Sequence, residues 1–508
     1  MSDKIRAGLA VASVVSVVLS TAAACTDDPA PPASGNPDGR SIVLAVADEP
    51  AELNPLAGYG DHGAAKIFDG LVEYEANLSL RPALAAAAPT PSPDGRSWTV
   101  PLRAGVTFSD GTPFEAKDVV DTYTALLDPA QNWSMRQRFS MLTGVVQVDP
   151  STVRFDLSQP YAPFPKLLTM GILPSETLVP DKVKSPRVGT GPYKIVDWKR
   201  GQRMVLAANK SYFDGPPAVT KVTIEFIRDD ERRLARMRDG KIDGTALPPK
   251  LAAEFAETDG LTVAAHSTAE IRAVTLPAAG AVTGDPAIRL ALNHALDRET
   301  IRDGALAGRA ATANTPMPDV LAEFVEPGAE FEHDIPKALE ILGDGGWETG
   351  QNGRVKNGTP AAFPLNYLPG DAVGKDLAER FAGAASAIGV RVTPTEVAQL
   401  PADQPAVVSF GDPVDPDLAL YSVLHSSDPS VDASLTTGRT ATDPAERATA
   451  YRKLQRDYLE APTMVVLTEP THTYVLRQSW DGYQPVVDGS AAGFTWGAWW
   501  NLQKWTPR

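Results

Sequence analysis

The stretch "GVTFSDGTPFEAKDVV", Gly105 to Val120, reads as a strand end, a tight turn and a helix start. Ser109-Asp110-Gly111 is the reversal, and Gly111 supplies the positive φ that residues with a Cβ resist. The spacing places Thr112 as an N-cap, Pro113 at the first helical position and Glu115 at the end of a T-x-x-E capping box. Val119, Val120, Tyr123, Leu126 and Leu127 follow at helical spacing, so one face is expected to pack inward. The stretch is scaffold, and its meaning depends on what surrounds it.

The same alternation of short elements runs through the chain. β-type runs occupy 41–47, 97–103, 152–157, 192–198, 203–208 and 221–227. Helical patterns occupy 64–75, 115–127, 229–239, 285–304, 334–343 and 372–387. Strands and helices mix without the regular alternation of a doubly wound sheet, which predicts an α/β chain of mixed α+β character. At 508 residues it is too long for one ordinary core, so two or three units are expected.

The N-terminus has a separate purpose. Lys4 and Arg6 precede an uncharged run from Ala7 to Ala24, followed by Cys25, the only cysteine. A basic start, an apolar middle and small residues before the cut describe a secretory signal. The Ala22-Ala23-Ala24-Cys25 junction resembles a bacterial lipobox, with Ala22 where that motif usually has Leu. The resemblance implies that Cys25 carries lipid. No thiol then remains for a disulfide, a metal or a nucleophile. Residues 26–40, "TDDPAPPASGNPDGR", are too polar and too rich in Pro and Gly to fold and are expected to be a tether. The expected location is the outer face of the cytoplasmic membrane. The 47 Lys and Arg against 63 Asp and Glu give a net charge of −16, which argues against nucleic acid as a partner.

Catalytic patterns are absent. The six histidines are scattered, and no H-E-x-x-H, G-x-S-x-G, P-loop or post-strand G-x-G-x-x-G occurs. A secreted hydrolase whose triad is assembled from distant residues stays open as the reading from another class. A binding protein without cofactor or resident metal is the expected one.

Several blocks together resemble one family. "IFDGLVEYEANLSLRPALA", "WTVPLRAGVTFSDGTPFEAKDVV", "VGTGPYKIVDWKRGQRMVLAANKSYFDGPP", "IRLALNHALDRETI" and "GDPVDPDLALYSVLHSS" are similar, in order, to the extracellular solute-binding proteins of peptide and nickel ABC importers, family 5. The resemblance runs from about Ser41 to the C-terminus. It implies a two-lobed periplasmic-binding-protein-like fold of the class II, cluster C type, closing on ligand as a hinge. The expected division is lobe I from 41–77, 190–275 and 481–508, an inserted subdomain at 78–189, and lobe II at 276–480. The implied ligand is a short peptide. A nickel chelator, an opine or an oligosaccharide is the alternative. The implied partners are an ABC permease and its ATPase, served by a monomer.

The resemblance also suggests site residues. Peptide-binding members open a D-x-x-[DE]-P block with an aspartate, and Asp412 of "GDPVDP" falls on it. A buried ligand ammonium needs such a carboxylate. Tyr59, Asp61 and His62 are candidates in the segment that lines the cleft in relatives. His425 is more simply a solvated loop residue. The tail "FTWGAWWNLQKW" offers Trp496 as a stacking platform, although Trp496, Trp499, Trp500 and Trp505 equally suit core packing.

Overall fold

The computed structural model describes residues 39–425, 428–490 and 493–508. The expected signal segment with Cys25, and the expected tether up to residue 38, lie outside the described residues.

A seven-stranded mixed sheet is built around Ser41–Val46. That strand pairs in parallel with Lys221–Phe226 on one side and Gly244–Ala246 on the other. Both its faces are covered, which is why "SIVLAV" is a nearly continuous apolar run rather than an alternating one. Ile42, Leu44 and Val46 join the large core, while Ala45 faces Leu234 and Met237 of the helix Asp230–Arg238. The aromatic tail returns across the first face. A Cβ on Gly244 would sit 2.6 Å from the Trp499 ring, so this strand gives up a side chain to admit the indole.

A four-stranded antiparallel sheet forms the inserted region, in the order Thr90–Pro91, Ser97–Pro101, Thr152–Leu157, Leu142–Asp149. The helix Ala116–Leu127 lies on it, with the Tyr123 ring edge-on to Phe155 at 4.9 Å. This helix begins later than the capping pattern predicts. Its N-cap is Glu115, whose N–H donates to Asp118 at 2.9 Å. The Thr112 amide and hydroxyl both donate to Asp110 Oδ1, at 3.0 and 2.7 Å, which holds Thr112 in the turn. Gly111 has φ +95° as the turn requires. Asp118 also accepts from the amide and hydroxyl of Ser175, so both acids are structural.

The 64–75 segment is not a helix. Ala64 and Lys66 have φ of 53° and 65°, and only Val72–Tyr74 is regular, as a strand paired with Leu80–Pro82. The buried Lys66 Nζ donates to the carbonyls of Trp499 and Trp500 at 2.6 and 2.9 Å. Its apolar residues reach the core from an irregular path that the tail holds in place. The "GTGPYK" block packs directly on that path: Gly191 N donates to Ile67 O at 3.1 Å. A Cβ on Gly191 would lie 2.5 Å from the Ile67 carbonyl carbon.

The second large unit has an antiparallel sheet in the order Ala310–Thr312, Met464–Pro470, Ile271–Thr275, Val407–Phe410. Every residue of Met464–Pro470 is buried. Val465 and Leu467 face the helices Pro286–Ala295, Ile335–Asp344 and Ala372–Ala387. Met464 and Val466 face Pro416–Leu424, Pro429–Thr440 and Pro444–Glu460. The period of two divides one strand between two cores. The expected 285–304 helix is two helices, Pro286–Ala295 and Arg298–Ala305, because Asp297 caps a new start through Thr300 N at 3.0 Å.

The chain passes between the two sheets twice, from His266 to Ile271 and from Pro470 to His472. Strand pairing therefore puts Ile271–Thr275 with the second sheet and His472–Arg477 with the first. Both passages lie earlier in the chain than the 275/276 and 480/481 division, invisibly in the sequence because the strands on either side continue almost unbroken through the crossing.

Gly191→Ala should lower stability by about 1–3 kcal/mol, as overpacking against backbone does. Gly144→Ala, where a Cβ meets nothing within 4 Å, should stay within about 0.5 kcal/mol. Urea unfolding of both variants checks the contrast. Equal stabilities would mean that the 64–70 path yields to the added methyl.

Candidate functional site

The loop after Val407–Phe410 carries Asp412 to the meeting of the two units. Asp412 is 3% exposed, so its carboxylate requires partners. Its Oδ1 accepts from Val414 N at 3.0 Å, and its Oδ2 faces His62 Nε2 at 3.2 Å. Oδ2 also accepts a short charge-assisted bond from Arg138 Nη2. Arg138 Nη1 donates to Asp61 Oδ2 at 2.8 Å, and Asp61 Oδ1 lies 3.0 Å from His62 Nδ1. Two carboxylates and two cations thus alternate around a closed ring. Burial opposes ionisation of Asp412, but His62 and Arg138 outweigh it and hold the carboxyl below its ordinary range.

The ring forms part of a cavity of about 610 Å³. Its opposite side is built on Asp417, which takes two bonds from Arg439, at 2.9 and 3.1 Å, and one from Tyr161 OH at 2.7 Å. The Arg439 guanidinium lies 3.4 Å from the Tyr421 ring centroid. Beneath this, Lys166 of the inserted region donates to Val414 O at 2.5 Å and Asp415 at 3.0 Å, while Arg447 holds the other oxygen of Asp415 at 2.8 Å. The segment 411–417 is therefore clamped to the inserted region by two ion pairs, Arg138–Asp412 and Lys166–Asp415, and by the Tyr161–Asp417 hydrogen bond.

Of the residues singled out in the sequence, Asp61, His62 and Asp412 come together at the cavity. Tyr59 does not join them: its ring is buried against Phe68 and Phe494, and its hydroxyl donates to Ala65 O at 3.0 Å. Trp496 is buried behind His62, with ring centroids 5.5 Å apart and its indole N–H given to Val487 O at 3.0 Å. His425 is an exposed residue stacked on Tyr421 at 4.6 Å. The sequence reading missed Arg138, Tyr161, Asp417, Tyr421 and Arg439. Only Asp417 and Tyr421 belong to a block that carries the family resemblance, "GDPVDPDLALYSVLHSS". Arg138 lies in "SMRQRF", which carries no spacing signal.

The crossing between the units has a charge network of its own. Asp488 accepts from Tyr474 OH at 2.6 Å, faces His266 Nδ1 at 3.1 Å and faces His472 Nδ1 at 3.0 Å. His472 Nε2 faces Glu270 at 2.8 Å, and Glu270 also accepts from Ser409 and pairs with Arg272. His472 and Glu270 stand on the two different crossing segments, so this imidazole ties one to the other.

A family model described as bacterial extracellular solute-binding proteins, family 5 Middle, matches residues 79–431. The chain belongs to this family. Protein XP55 of Streptomyces lividans is 39% identical over 479 residues, covering 90% of this chain and 88% of that protein. The structure of NikZ from Campylobacter jejuni in complex with Ni(L-His) superposes with a TM-score of 0.84 at 25% identity, covering 92% of this chain and 99% of that one. The oligopeptide-binding protein AppA of Bacillus subtilis, in complex with a nonapeptide, has a TM-score of 0.79 at 23% identity, covering 92% and 99%, and shares the fold. Family 5 proteins are extracytoplasmic substrate-binding components of ABC importers and not enzymes. The two-lobed binding-protein fold expected from the sequence is the one found. No helix among the described residues is long and apolar enough to cross a membrane.

Stability should carry the imprint of the crossing. Burial disfavours the charged form of His472, but Asp488 and Glu270 outweigh this and raise it to about 9 from an ordinary value of 6.5. A folded-state value above the unfolded one stabilises fully below about pH 6.5, and that contribution is lost as pH rises through about 9. Denaturant midpoints measured from about pH 6 to pH 9.5 should fall for the native chain and fall less steeply for His472→Gln. Parallel slopes would show that His472 does not titrate with folding.

Proposed function

We propose that this protein is the membrane-anchored receptor of an ABC importer, capturing short peptides in the cleft between its lobes and delivering them to the permease. The observation that carries the reading is the cavity beside Asp412, which offers both signs of charge within one small volume. A short peptide is a zwitterion whose two ends both need partners once water is expelled. Asp412 and Asp61 suit the ammonium, and Arg138 and Arg439 suit the carboxylate. A volume of about 610 Å³ falls within the range of small-ligand clefts, roughly 300–1,000 Å³. Ligand that touches both lobes at once favours the shut form, which gives the differential affinity that closure needs.

The similarity to NikZ favours a second reading, nickel held in an amino-acid chelate. Among the described residues no group of three or more His, Cys, Asp and Glu is placed to hold a metal ion directly. In this reading the chelator would have to supply most of the ligands, with the same arginines on its carboxylates.

Thermal shift with di- and tripeptides, their N-acetyl forms, Ni²⁺ with and without free histidine, and sugars separates the readings. Free-amine peptides should stabilise the protein and acetylated ones should not. Asp412→Ala removes one partner of a desolvated charge pair, a loss of about 2–5 kcal/mol, or about 30-fold to several thousand-fold in peptide Kd. Stabilisation by nickel–histidine alone would replace the peptide by the chelate.

The anchor is proposed from Cys25. Cys25→Ser should move the protein from the membrane fraction to the soluble one. Retention in the membrane would remove the lipoprotein assignment.

A further inference from the structure

The ring of Asp61, His62, Asp412 and Arg138 is balanced before any ligand arrives. Both ring nitrogens of His62 face carboxylate oxygens, Nδ1 to Asp61 at 3.0 Å and Nε2 to Asp412 at 3.2 Å. A nitrogen facing a carboxylate oxygen at that distance needs a hydrogen, so the ring carries two and is an imidazolium. Two negative and two positive charges then cancel. A ligand ammonium brought to Asp412 would meet one unit of positive charge too many. Arg138 cannot relieve that excess, since a guanidinium does not deprotonate in proteins. His62 can.

We infer that His62 is the exchangeable counter-charge of the cleft: a ligand ammonium takes over its place between Asp61 and Asp412, and His62 releases one proton to solvent. The inference rests on the proposed binding of a free amine. The proton balance is simple. The ligand keeps its three N–H hydrogens, the imidazolium becomes neutral imidazole, and the buffer accepts the proton lost.

The surroundings fit this role. The charged groups facing His62 are Asp61 on its own segment, Asp412 from the second unit and, across the ring, Arg138 from the inserted region. The indole of Trp496 lies behind the imidazole, and Gly489 stands where a Cβ would come 3.7 Å from Cε1. The next titratable groups are committed elsewhere. Tyr74 OH donates to Lys166 O, Tyr161 OH to Asp417, Lys166 to Asp415, and Asp417 pairs with Arg439. Side-chain exposure falls from Asp61 at 34% to Asp412 at 4%, so one edge of the ring is open to an incoming ammonium while Asp412 anchors the other. Burial depresses the imidazolium, yet the two carboxylates hold it up to about 10, which keeps it charged at neutral pH until a competing cation arrives.

Isothermal titration tests this with the free-amine peptide that gives the largest thermal shift. At one pH near 7 in phosphate, HEPES and Tris, the observed enthalpy should vary with buffer ionisation enthalpy at a slope of about one proton released. Between about pH 6 and pH 7.5, below the α-amino value of roughly 7.7–8.0, affinity should rise close to tenfold per pH unit. His62→Gln should still bind but lose both dependences. If that variant does not fold, the buffer comparison on the native protein decides alone. Peptide binding with no buffer dependence overturns the proton exchange and leaves the peptide reading intact. Failure of every free-amine peptide, with binding of nickel–histidine, overturns both.

Discussion

A carboxylate taken out of water has to be met by positive charge or by several donors, and the position of Asp412 makes this demand across the boundary of two folding units. Its partners, Arg138 and His62, come from the other unit, separated from it by 274 and 350 positions in the chain. The same demand is repeated by Asp415 with Lys166 and by Asp417 with Tyr161. These acids cluster at the start of the helix Pro416–Leu424, where Asp415 caps through Asp417 N and Asp412 accepts from Val414 N. One short segment is thereby held from both sides, and the cavity takes its shape from that clamp.

The scaffold around it works by close approach. Gly189 and Gly191 let the strand at 193–199 pass directly over Ile67, and Gly244 admits Trp499 against the central strand. The Lys66 ammonium holds the tail carbonyls at the same place. The 59–62 segment beside it is held by Tyr59 OH, which donates to Ala65 O, and by Thr169 Oγ1, which donates to Asp61 O. At the crossing, His472 and Asp488 tie the two connecting strands together, so both passages between the units run through one polar network.

A binding protein that neutralises its own cleft has a physical reason to do so. An unpaired pair of carboxylates in a buried cavity is costly, and internal cations remove that cost at the price of competing with the ligand. A titratable cation such as an imidazolium can withdraw from that competition by giving up its proton, which a guanidinium cannot do.

The amino-acid sequence alone determined the family and the mixed α/β class, because both are written in local signals: a turn with glycine at positive φ, apolar runs for covered strands, and blocks in fixed order. It brought forward Asp61, His62 and Asp412 through the resemblance. It did not determine the path of 64–75, whose helical spacing is overridden by positive φ and by a buried lysine bonded to the tail. Tertiary structure alone decided that Tyr59 and Trp496 are packed away from the cavity and that Arg138 and Arg439 line it. Those two arginines sit in segments with no motif, and their roles arise only from carboxylates brought to them from far along the chain. Local pattern reports the backbone's preferences, whereas the pairing of buried charges is set by which distant segments the fold brings into contact.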